Sequence, residues 1–581
     1  MNTPNTPNAS DLFALLNERA DKGAAPSPII NMGEIAALSA SLTTDIAVSV
    51  PGMARTFLPH QAVSYLYATG AIERWGCVFV GDDMGLGKTQ VMQALVANML
   101  AAGRKGHALV IAPPVTFGGW SSDLRAAFPG LTIAQIKGRT AERDDQGRVV
   151  LPDADVLFLS DDPLTMRAWM TEGLDQRKRF VMTNVVTDAA VVVRDEIHRD
   201  KGAAGKPGSP TSRAKLMVTV GEVLRAQGTP IVAASGTLLS NRPIEALLPL
   251  LIIGGKPLVT SFPGVSTVGQ FAFRYCNPQH NGFGYSYDGC AVERMPEMHM
   301  HLRETTYVRR ERTDLRDAEG NTILPHGGWT VQPLALNGAM TRYKRLEKEF
   351  LALVLEEDGP EAMWRKSRAE ALTRMQALWA EAGAAKGKAA AEYVVDQVGV
   401  ERGKPVIMFY WHESALASIC KGLGKLRLDH DGRKVPARIG ILNGKVTGDR
   451  RQDLVDDFQA GNVDILVAQL KAAGTGVTLT AAADAVFVQV PWSAGDLAQA
   501  AGRILRVDQI SQDRHARGEG VRWHVLQAAY DNGDATFDMA MWSVLERKAH
   551  VCDAVNAGKP VTMDEGSVML AAMREWFDGR S

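Results

Sequence analysis

The sequence predicts an α/β protein of two lobes, each a parallel sheet flanked by helices, with helical insertions between them. Three observations carry that expectation. Short apolar runs alternate with helical stretches over residues 46–255. The rhythm weakens over 256–395 and returns over 396–550. A glycine-containing loop joins the first apolar run to a helical pattern, which is the setting a phosphate-binding loop requires.

Taken in order, residues 1–45 open with a repeated Asn-Thr-Pro-Asn and are expected to form a flexible arm. The first lobe's strands are expected at Cys77–Val80, Ala108–Ile111, Val156–Leu159, Val191–Val193 and Ile231–Ala234. Each is a short apolar run, as a strand buried on both faces needs. Gly202–Ser212 is rich in Gly, Pro and Ser and reads as a loop. Residues 256–395 are read as a helical protrusion and linker, because 340–400 is dense in Ala, Glu, Lys, Arg and Leu. The second lobe's strands are expected at Val406–Tyr410, Arg438–Leu442, Ile465–Ala468, Ala485–Val490 and His524–Ala528, and 551–581 as a helical tail. No sequence repeat relates the lobes.

The 581 residues are too many for one ordinary core, and 46% are hydrophobic. The formal net charge is −1, so attraction to nucleic acid would have to come from local basic surface. Five scattered cysteines without a C-x-x-C pair argue against a disulfide framework and fit a reducing cytoplasm. No apolar stretch is long enough to span a bilayer.

Three motifs carry chemistry. Gly81-Asp82-Asp83-Met84-Gly85-Leu86-Gly87-Lys88-Thr89 lies between a strand and a helix. Gly85 and Gly87 let backbone N–H groups turn toward phosphate oxygens, Lys88 would reach the β/γ-phosphates of ATP, and Thr89 would bind Mg²⁺. The alternative is a Gly-rich turn that holds no nucleotide. Next, Val191-Val192-Val193-Arg194-Asp195-Glu196-Ile197-His198 delivers two carboxylates to a strand end. Asp195 would hold Mg²⁺, partly through water, and Glu196 would orient and deprotonate the attacking water. Last, Arg503 and Arg506 lie three apart and are expected to share a helix face, from which they could neutralise charge on a γ-phosphate. The alternative for these two is a solvated helix face.

Read in order, these motifs resemble the Swi/Snf-related, helicase-like ATPases of superfamily two, which are DNA translocases with two RecA-like P-loop lobes. The resemblance covers about residues 55–550. Phe57-Leu58-Pro59-His60-Gln61 resembles the adenine-sensing segment, which makes Gln61 the base reader. Ile111-Ala112-Pro113-Pro114 with Trp120 resembles the next motif. Ser235-Gly236-Thr237, with Ser240-Asn241-Arg242-Pro243, resembles the motif that couples hydrolysis to motion, and His198 would join it. Gly444, Arg450 and Phe458 fit a second-lobe pattern. Gly474-Thr475-Gly476-Val477 resembles the motif that touches nucleic acid and, through Gly476, the nucleotide. Trp492, Gln499, Arg503 and Arg506 complete the last motif, and Thr536 and Asp538 resemble the helix that follows. Three departures stand out: Arg194 where an apolar residue usually precedes the acidic pair, Leu238 for Pro, and Gln469-Leu470-Lys471 where Ser/Thr is usual. Phe271–Cys276 and Tyr307–Arg310 resemble the annealing-helicase (HARP-like) branch.

The resemblance implies a DNA-dependent ATPase that moves on or remodels duplex or forked DNA, with ATP and Mg²⁺, and with room for a targeting protein partner. A strand-separating DNA or RNA helicase and a nucleic-acid-bound ATP switch are the rival readings. Two side features remain. Cys276, His280, Cys290, His299 and His301 form a loose cluster whose spacing suits packing better than zinc. Arg303, Arg309, Arg310 and Arg312 could meet phosphates or form a solvated face.

Overall fold

The computed structural model describes residues 48–177, 179–201, 211–239, 242–280, 285–287, 289–315, 321–336, 340–357, 359–360, 363, 367–430, 433–474, 476–530, 536–558 and 576–577. The expected arm, the Gly-rich 202–210, Ser240, Asn241, Thr475 and most of the expected tail lie outside the described residues. The chain divides into two compact units, Met1–Ile323 with Val551–Thr562, and Leu324–His550 with Met563–Ser581.

The first unit holds a seven-stranded parallel sheet. Its strands are β1 (Cys77–Val80), β2 (His107–Ala112), β3 (Ile133–Ile136), β4 (Val156–Ser160), β5 (Ala189–Asp195), β6 (Ile231–Ala234) and β7 (Tyr307–Val308). They lie in the order β7-β1-β6-β5-β2-β4-β3, every neighbour parallel. Apolar side chains alternate between two covered faces. Phe79, Leu109, Ile111 and Val192 join one core. Val78, Val80, Val110 and Val193 join the other. The second face is covered by α1 (Pro59–Trp75), α2 (Lys88–Ala101) and α3 (Phe117–Ala127), through Val63, Tyr67, Val91, Leu95, Trp120 and Leu124. The first is covered by α4 (Ser212–Gln227) and α5 (Leu247–Ile253), through Leu216, Val220 and Leu250. Burying both faces is why the strands read as unbroken apolar runs.

The second unit repeats the plan with six parallel strands: β8 (Gly327–Ala335), β9 (Val406–Tyr410), β10 (Ile439–Leu442), β11 (Ile465–Gln469), β12 (Asp484–Phe487) and β13 (Val521–Ala529). Their order is β8-β13-β12-β9-β11-β10. Helices α6 (Thr341–Glu356), α7 (Arg368–Tyr393) and α8 (Glu413–Leu423) precede or follow β9. Two α/β lobes with parallel sheets flanked by helices is the predicted class.

The segment read as one helical protrusion, 256–395, is divided at Ile323/Leu324 between the units. It also carries two edge strands. β7 pairs beside β1, and β8 pairs along all nine residues with β13. Both escape a hydrophobic-run reading: β7 is two residues long, and β8 contains two glycines and a proline and is largely exposed.

Candidate functional site

The loop from Gly81 to Gly87 leaves the end of β1 and feeds the N-terminus of α2. Gly85 and Gly87 have φ of 84° and 81°, the left-handed region that favours glycine. A Cβ on Gly87 would stand 2.1 Å from Gln61 Nε2. Gln61 is buried and accepts from the Leu58 N–H (3.0 Å), while its Nε2 donates to Leu86 O (3.3 Å). Thus α1 holds the loop from the side. Asp82 is fully buried and accepts from Ser64 Oγ at 2.6 Å. Lys88 Nζ donates to the carbonyls of Asp82 (2.8 Å) and Asp83 (3.1 Å). Burial lowers the Lys88 pKa, opposed by the charges of Glu196, Asp83 and Asp82. Thr89 is the second residue of α2, where backbone N–H groups have no intrahelical acceptor.

Asp195 is the last residue of β5, two strands from β1. Trp120 Nε1, from α3, donates to its Oδ2 at 3.1 Å, and the Glu196 N–H donates to its Oδ1 at 3.0 Å. Burial, then the neighbouring Glu196 charge, raises the Asp195 pKa to about 6. Glu196 has φ 53° and ψ 46°. Its Oε2 lies 3.1 Å from His198 Nδ1, and that nitrogen lies 2.7 Å from Ser235 Oγ. Ser235 Oγ lies 2.9 Å from Thr237 O and accepts from the Thr237 N–H at 3.2 Å. Thr237 Oγ1 is buried and has no hydrogen-bond partner among the described residues. Lys88, Asp195, Glu196, His198, Ser235 and Thr237 therefore belong to one neighbourhood. A Cβ on Gly236 would meet Met84 Cγ at 2.6 Å and Lys88 Nζ at 3.5 Å.

The arginines after α5 do not form a solvated face. Arg303, Arg309 and Arg310 are buried. Arg309 Nη1 donates to Gly81 O (2.8 Å) and Gly236 O (2.7 Å), joining the loop to the Ser235–Thr237 segment. Arg310 Nη1 donates to Ser64 Oγ (3.0 Å), and Arg312 Nε to Met84 O (3.1 Å). Asp83 sits 3.7 Å from Arg309 and 3.5 Å from Arg312. Asp83 N–H donates to Arg310 O at 2.8 Å, so the backbone after β7 continues alongside the loop. Sequence reasoning missed this clamp, because an arginine aimed at main-chain carbonyls has no compositional signature. A one-residue step from an apolar strand pair, Tyr307-Val308, into Arg309-Arg310 was the available hint.

In the second unit, Arg503 and Arg506 are not on one helix face. The helix α9 (Ala494–Ala501) stops before them, with Gly502 as its C-cap. Arg503 donates to Gly474 O and, at 3.3 Å, to Val477 O, which Arg506 Nη2 shares at 2.9 Å. Gly474 caps a short helix, and Gly476 has φ 72°. Trp492 lies under Lys548, whose Nζ is 5.2 Å from the ring centroid and donates to Trp492 O at 2.9 Å. Among the described residues no group of three His, Cys, Asp or Glu could hold a metal ion. In the Cys/His segment, His299 instead binds Val555 O and His301 pairs with Ser261 Oγ.

Residues 389–508 match the helicase conserved C-terminal domain. A SWI/SNF-related matrix-associated actin-dependent regulator of chromatin subfamily A-like protein 1 homolog of Caenorhabditis elegans is 24% identical over 87% of this chain and 63% of its own length. The Xenopus laevis protein of that name is 26% identical over 83% of this chain and 42% of its own. This chain is similar to the SWI/SNF-related proteins. The mouse DNA annealing helicase and endonuclease ZRANB3 is 23% identical over 93% of this chain and 44% of its own length. The chain spans about half the length of the curated relatives it matches. The Sulfolobus solfataricus SWI2/SNF2 ATPase core in complex with dsDNA aligns over 88% of this chain and 95% of its own, with 17% identity and a TM-score of 0.35. Among the described residues no helix is long and apolar enough to cross a membrane.

Proposed function

We propose that this SWI/SNF-related chain is an ATP-hydrolysing motor that moves on or remodels DNA, duplex or forked. The observation that carries the proposal is the gathering, around one glycine loop, of Lys88, the Asp195–Glu196 pair and the Ser235–Thr237 segment. The residues fit ATP and Mg²⁺. Lys88 rests on two main-chain carbonyls that phosphate oxygens can replace, and Gly85 and Gly87 leave room for close approach. Thr89 and Asp195 would hold Mg²⁺, which when bound neutralises charge on the terminal phosphates.

Within that site, Lys88 binds phosphate oxygens and Gln61 reads the base while steadying the loop. Glu196 orients the attacking water and accepts its proton. Ser235 and His198 contact the same carboxylate, so a change in Glu196 reaches the Ser235–Thr237 segment through a single hydrogen-bonded step. We extend the proposal to Gly476 as a nucleotide contact, to Arg503 and Arg506 as cations that neutralise developing phosphate charge, and to Gly474, Thr475 and Trp492 as nucleic-acid or coupling residues. The cytoplasmic reading is kept, supported by five free cysteines. A targeting protein partner also belongs to the proposal.

Steady-state ATP hydrolysis with no nucleic acid, duplex, forked or single-stranded DNA, or RNA is the test. Strong stimulation by duplex or forked DNA is expected. Stimulation by RNA or single strands alone would replace the reading with a strand-separating helicase, and no turnover with any of them would replace it with a switch.

A further inference from the structure

Arg194 departs from the family pattern, and the structure gives it a purpose. It is fully buried near the end of β5, yet its guanidinium has acceptors in three directions. Nε and Nη2 bind the two carboxylate oxygens of Asp200 at 2.6 and 3.0 Å, a bidentate pair. Nη1 donates to Ile111 O at 3.1 Å and to Asp195 O. Nη2 also lies 3.4 Å from Asp161 Oδ2. Asp200 is itself fully buried and ends the short 3₁₀ turn Ile197–Asp200, which the Arg199 N–H closes by donating to Glu196 O at 3.0 Å.

The residue inside this closure is Glu196. Only Glu196 and Asn277, among the non-glycine residues described, have φ in the left-handed region. A residue with a Cβ stays there only when its surroundings over-determine it. Arg194 grips the chain just before Glu196, at Asp195 O, and just after it, at Asp200. We propose that Arg194 and Asp200 form a clasp that holds the Glu196 turn in its left-handed conformation and aims its carboxylate toward Ser235 and His198. Arg194 is thus a positioning residue, taking the place of an apolar side chain that could not reach either end of the turn. The inference rests on the reading of Glu196 as the water-activating group.

The test uses the full chain and Arg194→Met/Asp200→Asn, which removes one buried charge of each sign; Arg213, which also bonds Asp200 at 2.8 Å, keeps the Arg199 carbonyl and lies 4.0 Å from Asp161. Three readouts are taken: duplex-stimulated turnover, affinity for a fluorescent ATP analogue, and amide hydrogen exchange over residues 195–201. Exchange is expected to accelerate at least roughly tenfold. Turnover is expected to fall roughly 100-fold, the scale of a misplaced catalytic group, with nucleotide affinity within about twofold. Asp161→Asn keeps the clasp and should keep turnover. Should the double variant fail to fold, Arg194→Lys serves, since one ammonium cannot span both Asp195 O and the Asp200 carboxylate. Parental exchange over 195–201, parental turnover, or an equal loss in Asp161→Asn would overturn the clasp. If Glu196→Gln kept parental turnover, the catalytic reading would fall instead, and the exchange measurement would still decide the clasp.

Discussion

Replacing Arg309 with methionine removes the side chain that ties the glycine loop to the Ser235–Thr237 segment. Two hydrogen bonds from a charged donor to the buried carbonyls of Gly81 and Gly236 are lost. Each such bond is worth about 1.5–3 kcal/mol. Relief of guanidinium desolvation offsets part of that, so a net cost of about 3–4 kcal/mol is expected. The first unit has 335 residues, and unfolding entropy is about 2.1 cal/mol/K per residue, which gives about 0.7 kcal/mol/K. The first unit's calorimetric transition should then fall by about 4–6 °C. Arg309→Lys keeps the charge but not the fork and should fall by about half as much. Nucleotide affinity should weaken alongside, because the loop loses a lateral tie. Differential scanning calorimetry reads the first effect and titration with a fluorescent nucleotide the second. A transition within about 1 °C of the parent for Arg309→Met would refute the clamp.

Further predictions concern the site. Lys88→Ala should abolish nucleotide binding and turnover, whereas Glu196→Gln should bind nucleotide and not turn over; filter binding beside a phosphate-release assay separates the two. Arg506→Ala should lower kcat with little change in nucleotide affinity, and an unchanged kcat would remove its assignment. Because burial raises Asp195 to about 6, protons compete with Mg²⁺ there. The half-saturating Mg²⁺ concentration should be flat above about pH 6 and rise roughly tenfold per unit below it. The same shift means the metal-free fold gains stability from this group as pH falls through about 6 toward 4, opposite to a carboxylate held below its ordinary value. Lys386 Nζ meets Asp538 Oδ2 at 2.6 Å in a buried pair, so Lys386→Met should destabilise the second unit by about 3–5 kcal/mol, read as the midpoint of urea unfolding.

How far the sequence could be read follows from burial. β1, β6 and β9 fall where their apolar runs end, because a strand covered on both faces must be apolar throughout. β3 was hidden by its alternating, half-buried Ile-Ala-Gln-Ile. β8 was hidden because an edge strand can expose most of its residues and tolerate Pro333. In the candidate site, the sequence singles out Lys88, Asp195 and Glu196, and the structure brings the three charges close enough to shift one another. Arg309 and Arg194 were not legible, since a buried guanidinium and a solvated one are spelled alike. Helix ends were also out of reach: Arg503 and Arg506 have helical spacing, but the helix ends at Ala501 before them, and their side chains meet the carbonyls of Gly474 and Val477.

The helix α10 (Phe537–Ala557) begins among residues of the second unit, and its last turns are counted with the first. There Cys552, Ala554 and Val555 enter the first core, and Asn556 exchanges hydrogen bonds with the backbone of Leu239 in both directions. During synthesis the first unit therefore leaves the ribosome's exit before its closing segment has been made. Roughly 230 residues must follow Ile323 before its closing segment exists, and at about 5–20 residues per second that is a wait of roughly 10–50 s. Throughout that interval the backbone of Leu239 lacks its Asn556 partner, and a chain cut short before Val551 would leave the first core without Cys552, Ala554 and Val555.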